Sequence, residues 1–168
     1  MFAVHSARHA KLSEDHTRLL GQRVWASAGL THSGMSHGKF VWSIKITRKV
    51  KSGGICLGIV DRDRFNFATQ NVGADRHSWG YSSLGSRNDG SPDFEDYGSP
   101  FGTGDVITVV LDMDDGWVRF IKNGVDEGVA FSTGIKGRTI LPAVCVGGAK
   151  TSCHEVEIIP FNVTTVAF

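Results

Sequence analysis

The chain has 168 residues and a mass of 18.2 kDa, one domain's worth with little room for a second core. With 40% apolar and 21% charged residues it reads as globular, which excludes disorder as the main state. A formal net charge of +1 supplies no global electrostatic footprint for nucleic acid or an anionic membrane, so neither is expected as a partner.

That balance hides an asymmetry. Residues 1–60 carry nine Lys/Arg against two Asp/Glu, while residues 61–168 carry nine against fifteen. An antiparallel sandwich interleaves early and late strands and would mix the two halves. Three cysteines, Cys56, Cys145 and Cys153, form no C-x-x-C pair and read as reduced thiols in a cytosol-like compartment. The first residues lack the apolar core of a signal peptide, and no run of 18 apolar residues occurs, so a cytoplasmic location is expected.

In chain order, the first strand is expected at residues 18–26. The clearest follows at 39–47, KFVWSIKIT, where Phe40, Trp42, Ile44 and Ile46 alternate with polar neighbours as in a half-buried strand. A basic turn at 48–54 leads into 55–60, ICLGIV, which lacks alternation and reads as a strand buried on both faces. The pair is expected to form a hairpin with a solvated basic tip. Residues 77–82 give a further strand. Residues 84–103 are rich in turn formers and read as a functional loop or an insertion over the sandwich. Residues 105–113 and 117–122 form a hairpin through Asp115-Gly116, and Asn123-Gly124 returns the chain into 125–131, making a meander. Strands at 139–146 and 153–161 complete the series. No window keeps a helical apolar stripe, so at most a short helical turn is expected. The fold class is all-β, a sandwich of mainly antiparallel sheets. With 21 glycines, most fall at the joints; Gly21, Gly58, Gly80 and Gly128 fall inside strands, and at the last three a missing side chain is expected to mark close packing or a bulge.

Chemistry-bearing motifs fail on inspection. Asp112, Asp114 and Asp115 suggest a calcium loop, but Trp117 and Asn123 stand where an EF-hand needs glycine and glutamate. Gly147-Gly148-Ala149-Lys150-Thr151 resembles a phosphate-loop tail without the required glycine, and Gly102-Thr103-Gly104 opens a strand where a dinucleotide fingerprint opens a helix. Seven histidines show no ligand spacing, no nucleophile elbow occurs, and Asn162-Val163-Thr164 is a sequon without an export signal. No catalytic residue, metal site or cofactor is expected, and the chain is read as a non-enzyme.

Taken together, His37-Gly38-Lys39-Phe40-Val41-Trp42, His77-Ser78-Trp79-Gly80-Tyr81, Phe101-Gly102-Thr103-Gly104-Asp105-Val106-Ile107, the Leu111 to Phe131 meander and Leu141-Pro142-Ala143-Val144 resemble, in order, the motifs of the SPRY domain. The resemblance implies a bent β-sandwich of two antiparallel sheets, the concanavalin A-like arrangement, over residues 12–161, with an extension at 1–11 and a tail at 162–168. It implies a protein-interaction module whose edge loops bind a peptide or folded partner, as adaptor or subunit of a larger assembly. Some similarity to the SPRY–SOCS-box receptors extends to Gly134-Ile135-Lys136-Gly137-Arg138-Thr139, but Gly147-Gly148 replaces their Trp-Gly pair, and no SOCS box is expected.

The expected partner-binding residues are Arg62, Arg64, Phe65, Phe67 and Arg76 in the loop at 61–76, joined by Tyr97. This loop mixes charges with two phenylalanines, the combination favoured at interfaces. The alternative is a carbohydrate-binding, lectin-like sandwich, which would need aromatic platforms and an organised carboxylate or calcium site.

Overall fold

The structure, a computed structural model, describes residues 2–3, 10–21, 23–30, 33–150 and 152–159. The sequon at 162–164 and the expected tail lie outside the described residues. In chain order the strands are β1 (Phe2–Ala3), β2 (Ala10–Leu12), β3 (Arg18–Gly21), β4 (Ala26–Leu30), β5 (Lys39–Arg48), β6 (Gly54–Asp61) and β7 (Ser78–Ser82). There follow β8 (Ser86–Asn88), β9 (Glu95–Asp96), β10 (Val106–Asp112), β11 (Trp117–Lys122), β12 (Val125–Phe131), β13 (Ile140–Gly147) and β14 (His154–Ile159). No helix occurs among the described residues, and none is long and apolar enough to cross a membrane.

Two antiparallel sheets face each other. One runs β1-β4-β13-β6-β7-β8-β9 and the other β12-β11-β10-β5-β14-β3-β2. Between them lies the core, to which β5 contributes Trp42, Ile44 and Ile46, β6 contributes Ile55, Leu57 and Ile59, and β13 contributes Val144 and Val146. Burial of this apolar surface is the main favourable contribution to folding. The alternation read from residues 39–47 holds, since Lys45 is exposed between the buried Ile44 and Ile46.

The expected hairpin between 39–47 and 55–60 does not form. β5 pairs with β10 and β14, whereas β6 pairs with β13 and β7, so residues 49–53 are an arch from one sheet to the other. The crossing is made where Gly53, at φ +71°, runs against the backbone of Gly147 and Gly148, a contact that a Cβ would block. Turn chemistry alone does not tell an arch from a hairpin. The absence of alternation in β6 has its cause above the sheet: a second apolar cluster of Val60, Phe65, Val72, Leu141, Ala143 and Cys145 covers the outer face of β6 and β13.

The strand expected at 18–26 is likewise divided, β3 lying in one sheet and β4 in the other. Residues 84–103, read as loop, carry the short strands β8 and β9 that extend the sheet edge beyond β7. The meander is as expected: β10 pairs with β11 and β11 with β12, and Asn123 and Gly124 both take positive φ, +48° and +81°, as a tight turn of right-handed twist requires. Gly58 lies so close to β7 that a Cβ would overlap the Trp79 carbonyl oxygen. Gly128 marks a shift in β11–β12 register, and Gly80 lies against the Cys56 thiol. These three glycines thus mark close packing or a bulge.

Asp112, considered above as a calcium ligand, closes a hairpin. Its Oδ1 accepts the backbone N–H groups of Asp114 (3.0 Å) and Asp115 (2.9 Å), and Lys39 Nζ lies 3.0 Å from Oδ2. Burial opposes the charge, but these partners prevail and hold the carboxyl below its ordinary value.

Candidate interaction surface

Between β6 and β7 the chain leaves the sheet for residues 62–77. Its first turn is fixed by Asp61, a buried carboxylate: Oδ1 accepts the N–H of Asp63 (3.0 Å), Oδ2 pairs with Arg138 (2.9 Å), and its carbonyl accepts the N–H of Phe65 (2.9 Å). Arg138 in turn lies over the Trp79 ring at 5.4 Å and 3.2 Å from His77 Nδ1. A second turn is fixed by Asn66, whose side chain accepts the N–H of Ala68 (3.0 Å) and whose carbonyl accepts that of Gln70 (2.9 Å). The loop is therefore held on the sandwich by local hydrogen bonds at both turns.

These turns aim Phe65 downward, where it is 6% exposed in the outer cluster with Leu141 and Val72. Phe67 lies half-buried against it, edge to face at 4.9 Å. Above the pair is an open groove of about 570 Å³, walled by Arg62, Arg64, Asn66 and Ala68 and floored by Phe65, Phe67 and Leu141. Arg62 is anchored, donating from Nε to Asp63 (2.9 Å) and from a terminal nitrogen to the Ser33 carbonyl (2.7 Å). Arg64 is exposed.

Four of the six expected residues, Arg62, Arg64, Phe65 and Phe67, thus share one groove. Arg76 is exposed but outside its lining. Tyr97 is placed elsewhere: it is buried in the core, its hydroxyl donates to the Gly128 carbonyl (2.5 Å) and accepts the Phe120 N–H (3.3 Å), and its ring meets Tyr81 edge-on at 5.1 Å. Burial pushes the phenol up to about 12. The reason is the path of residues 84–103: Gly90 donates to the Gly73 carbonyl (3.0 Å) at the far end of the 61–76 loop, but the stretch around Tyr97 is held on β11 and β12, with Arg87 donating to Ala130 and Lys122 donating to Pro100 (2.7 Å). Sequence reasoning missed Leu141 as part of the floor. Its signal was faint, because β13 is buried on both faces and shows no alternation.

The acidic stretch lines a second, polar cleft of about 240 Å³ that includes Asp89, Asp93 and Glu95, with Arg87 pairing Glu95 at 2.6 Å. Among the described residues no group of three His, Cys, Asp or Glu is placed to hold a metal ion. All three cysteines are free thiols.

The fold is thus a two-sheet antiparallel β-sandwich whose surface loop carries an aromatic-floored groove with a charged rim. The family model for the SPRY domain matches residues 39–158, and this chain belongs to the SPRY family, a family of protein-interaction modules. Among curated proteins it is 36% identical over 115 residues to a probable ATP-dependent RNA helicase ddx1 of Dictyostelium discoideum, which covers 64% of this chain and 15% of that protein. It is 33% identical over 129 residues to the SPRY domain-containing SOCS box protein 3 of Xenopus laevis, covering 73% of this chain and 35% of that protein. The chain thus spans a minor part of the length of both relatives. Among solved structures it resembles the SPRY domain of human HERC1, with a TM-score of 0.77 at 20% identity, covering 97% of this chain and 99% of that one. A second human SPRY domain gives 0.68 at 19% identity, over 90% and 94%.

Proposed function

We propose that this SPRY domain recognises a peptide or a folded protein through the groove at residues 62–68, and that it serves as an adaptor or complex subunit in the cytoplasm. The observation that carries this reading is the groove itself: an ordered loop leaves two arginines and the half-buried Phe67 facing solvent over an apolar floor. Interfaces concentrate their energy in such aromatic and arginine side chains at partly desolvated positions. Phe65 acts chiefly as floor, Phe67 and Arg64 as contacts, and Arg62 as a pre-positioned rim charge. Arg76, at the loop's far end, would meet only a partner that extends beyond the groove.

The test is a comparison of the wild-type domain with Phe67→Ala and Arg64→Glu variants in affinity purification with mass spectrometry, followed by titration of the purified partner. Each substitution is expected to weaken binding by about tenfold or more while thermal melting stays within a few degrees. A captured partner whose affinity is unchanged in both variants contradicts the assignment of the groove.

A further inference from the structure

At the end of the sandwich where the arch crosses, three segments converge. Gly148 donates its N–H to the Arg23 carbonyl (3.2 Å), Lys150 donates its N–H to Ser52 Oγ (2.9 Å), and Val50 donates to His154 Nδ1 (3.3 Å). Residues 23–25, 48–54 and 147–150 thereby bring Arg23, Lys49, Lys51 and Lys150 to one surface, and none of these segments contains an Asp or Glu. Arg48 is taken up by Glu155 at 3.3 Å, a carboxylate it shares with Arg18 at 3.5 Å. Arg23, Lys51 and Lys150 are exposed, and Lys49 is half-buried.

Where the three segments meet lies Trp25, 40% exposed. A Cβ on Gly147 would sit 2.7 Å from the indole Cγ, one on Gly54 3.3 Å from Cη2, and one on Gly148 3.4 Å from Nε1. These atoms span the ring, so the indole lies along a strip of three glycines, and its exposed area is on the side away from that strip. Beside it a groove of about 370 Å³ is lined by Arg23, Gly148, Ala149 and Lys150. The local charge is felt inside the fold, where Lys49 adds to burial in holding His154 below its ordinary value.

A supported planar ring with an open side, beside four cations that form no ion pair among the described residues, matches a ligand that alternates planar groups with anionic ones. We infer that this surface binds single-stranded nucleic acid, a base stacking on Trp25 while Arg23, Lys49, Lys51 and Lys150 meet phosphates. Lysine meets phosphate as a point charge and the fork of arginine suits phosphate and carboxylate alike, so what favours nucleic acid over an acidic peptide is the exposed indole, on which a base can stack. A net charge of +1 does not oppose this, because the arch and the segments beside it place Arg23, Lys49, Lys51 and Lys150 locally without an acidic residue among them. The surface shares no residue with the groove at 62–68, so the two assignments stand or fall separately.

The test is fluorescence anisotropy of the full chain with a fluorescein-labelled oligothymidylate about twelve nucleotides long, a length in the range one such surface covers, across a salt series. With four phosphate contacts, log affinity against log salt should fall with a slope of about −3. An Arg23→Glu/Lys150→Glu double variant should lose about tenfold or more at low salt, with unchanged far-ultraviolet circular dichroism. Trp25→Phe should retain binding and Trp25→Leu should weaken it. Absence of binding at low salt, affinity indifferent to the charge reversal, or tighter binding of a labelled oligoglutamate peptide would each overturn the inference. The charge-reversal variant keeps the test decisive should Trp25→Leu fail to fold.

Discussion

Phe65 and Phe67 stand two residues apart in one loop and do different work. Truncating Phe65, 6% exposed beneath the groove, leaves a hole in the outer cluster, and Phe65→Ala is expected to destabilise the domain by about 3–5 kcal/mol in denaturant titration. Phe67→Ala should cost markedly less stability and act on binding. Equal stability losses for the two would contradict this division. A second residue-level consequence concerns His154, fully buried, with Nε2 on the Gly147 carbonyl (3.1 Å) and Nδ1 accepting from Val50. Burial first, then the nearby Lys49, hold its pKa below the ordinary 6.5. The unfolded chain therefore takes up a proton at higher pH than the folded one. The stability this neutral imidazole contributes is complete above the ordinary value and is lost as pH falls from there through the folded value. Thermal melts between pH 7.5 and 5 should show a decline that is flatter in His154→Gln, which should also be less stable at the upper end; a parallel decline in both would contradict the assignment. Burial likewise pushes the Cys145 thiol up to about 12. It should resist alkylation at pH 8 until the chain unfolds, and labelling without unfolding would show an opening of the 61–76 loop above it.

At the scale of elements, what was legible in the sequence depended on how many faces a strand buries. β5 has one polar face and announced itself through Phe40, Trp42, Ile44 and Ile46, as did the β10–β12 meander through Asn123-Gly124. β6 and β13 bury both faces, so their existence could be read but the side on which Leu141 lies could not. Pairing across sheets was illegible for a different reason. Gly53-Gly54 reads the same whether the chain turns back on its neighbour or arches over, and only the strands flanking β6 decide it. The candidate site was legible as a segment, because three charged residues and two phenylalanines fall between Arg62 and Phe67. Tyr97 was not, since an aromatic in a turn-rich stretch looks alike whether it faces inward or outward, and here hydrogen bonds to Gly128 and Phe120 decide the matter. The close pairing of β6 and β7 makes a sharp prediction at this scale: Gly58→Ala forces a methyl group onto the Trp79 carbonyl and should cost about 3 kcal/mol or more, whereas Gly102→Ala, with open space around it, should be tolerated.

For the whole molecule, the sandwich positions its surfaces apart. Arg23, Lys49, Lys51 and Lys150 lie at the arch near Trp25, the acidic stretch lines its own cleft beside β12, and the groove over Phe65 and Phe67 opens above the outer cluster on β6 and β13. Charge asymmetry between the halves of the sequence is therefore mixed in the sheets yet kept at the ends. Asp61 at the end of β6 and Asn66 within the loop fix the two turns of residues 61–76, so a partner binding there as proposed would meet a groove already formed and lose little ordering entropy. The most direct measurement is amide hydrogen exchange of the domain with and without its captured protein partner. Binding at the groove predicts slowed exchange across residues 63–70, with the Trp25 surface unchanged. Protection confined to other surfaces, with 63–70 exchanging as in the free domain, would contradict it.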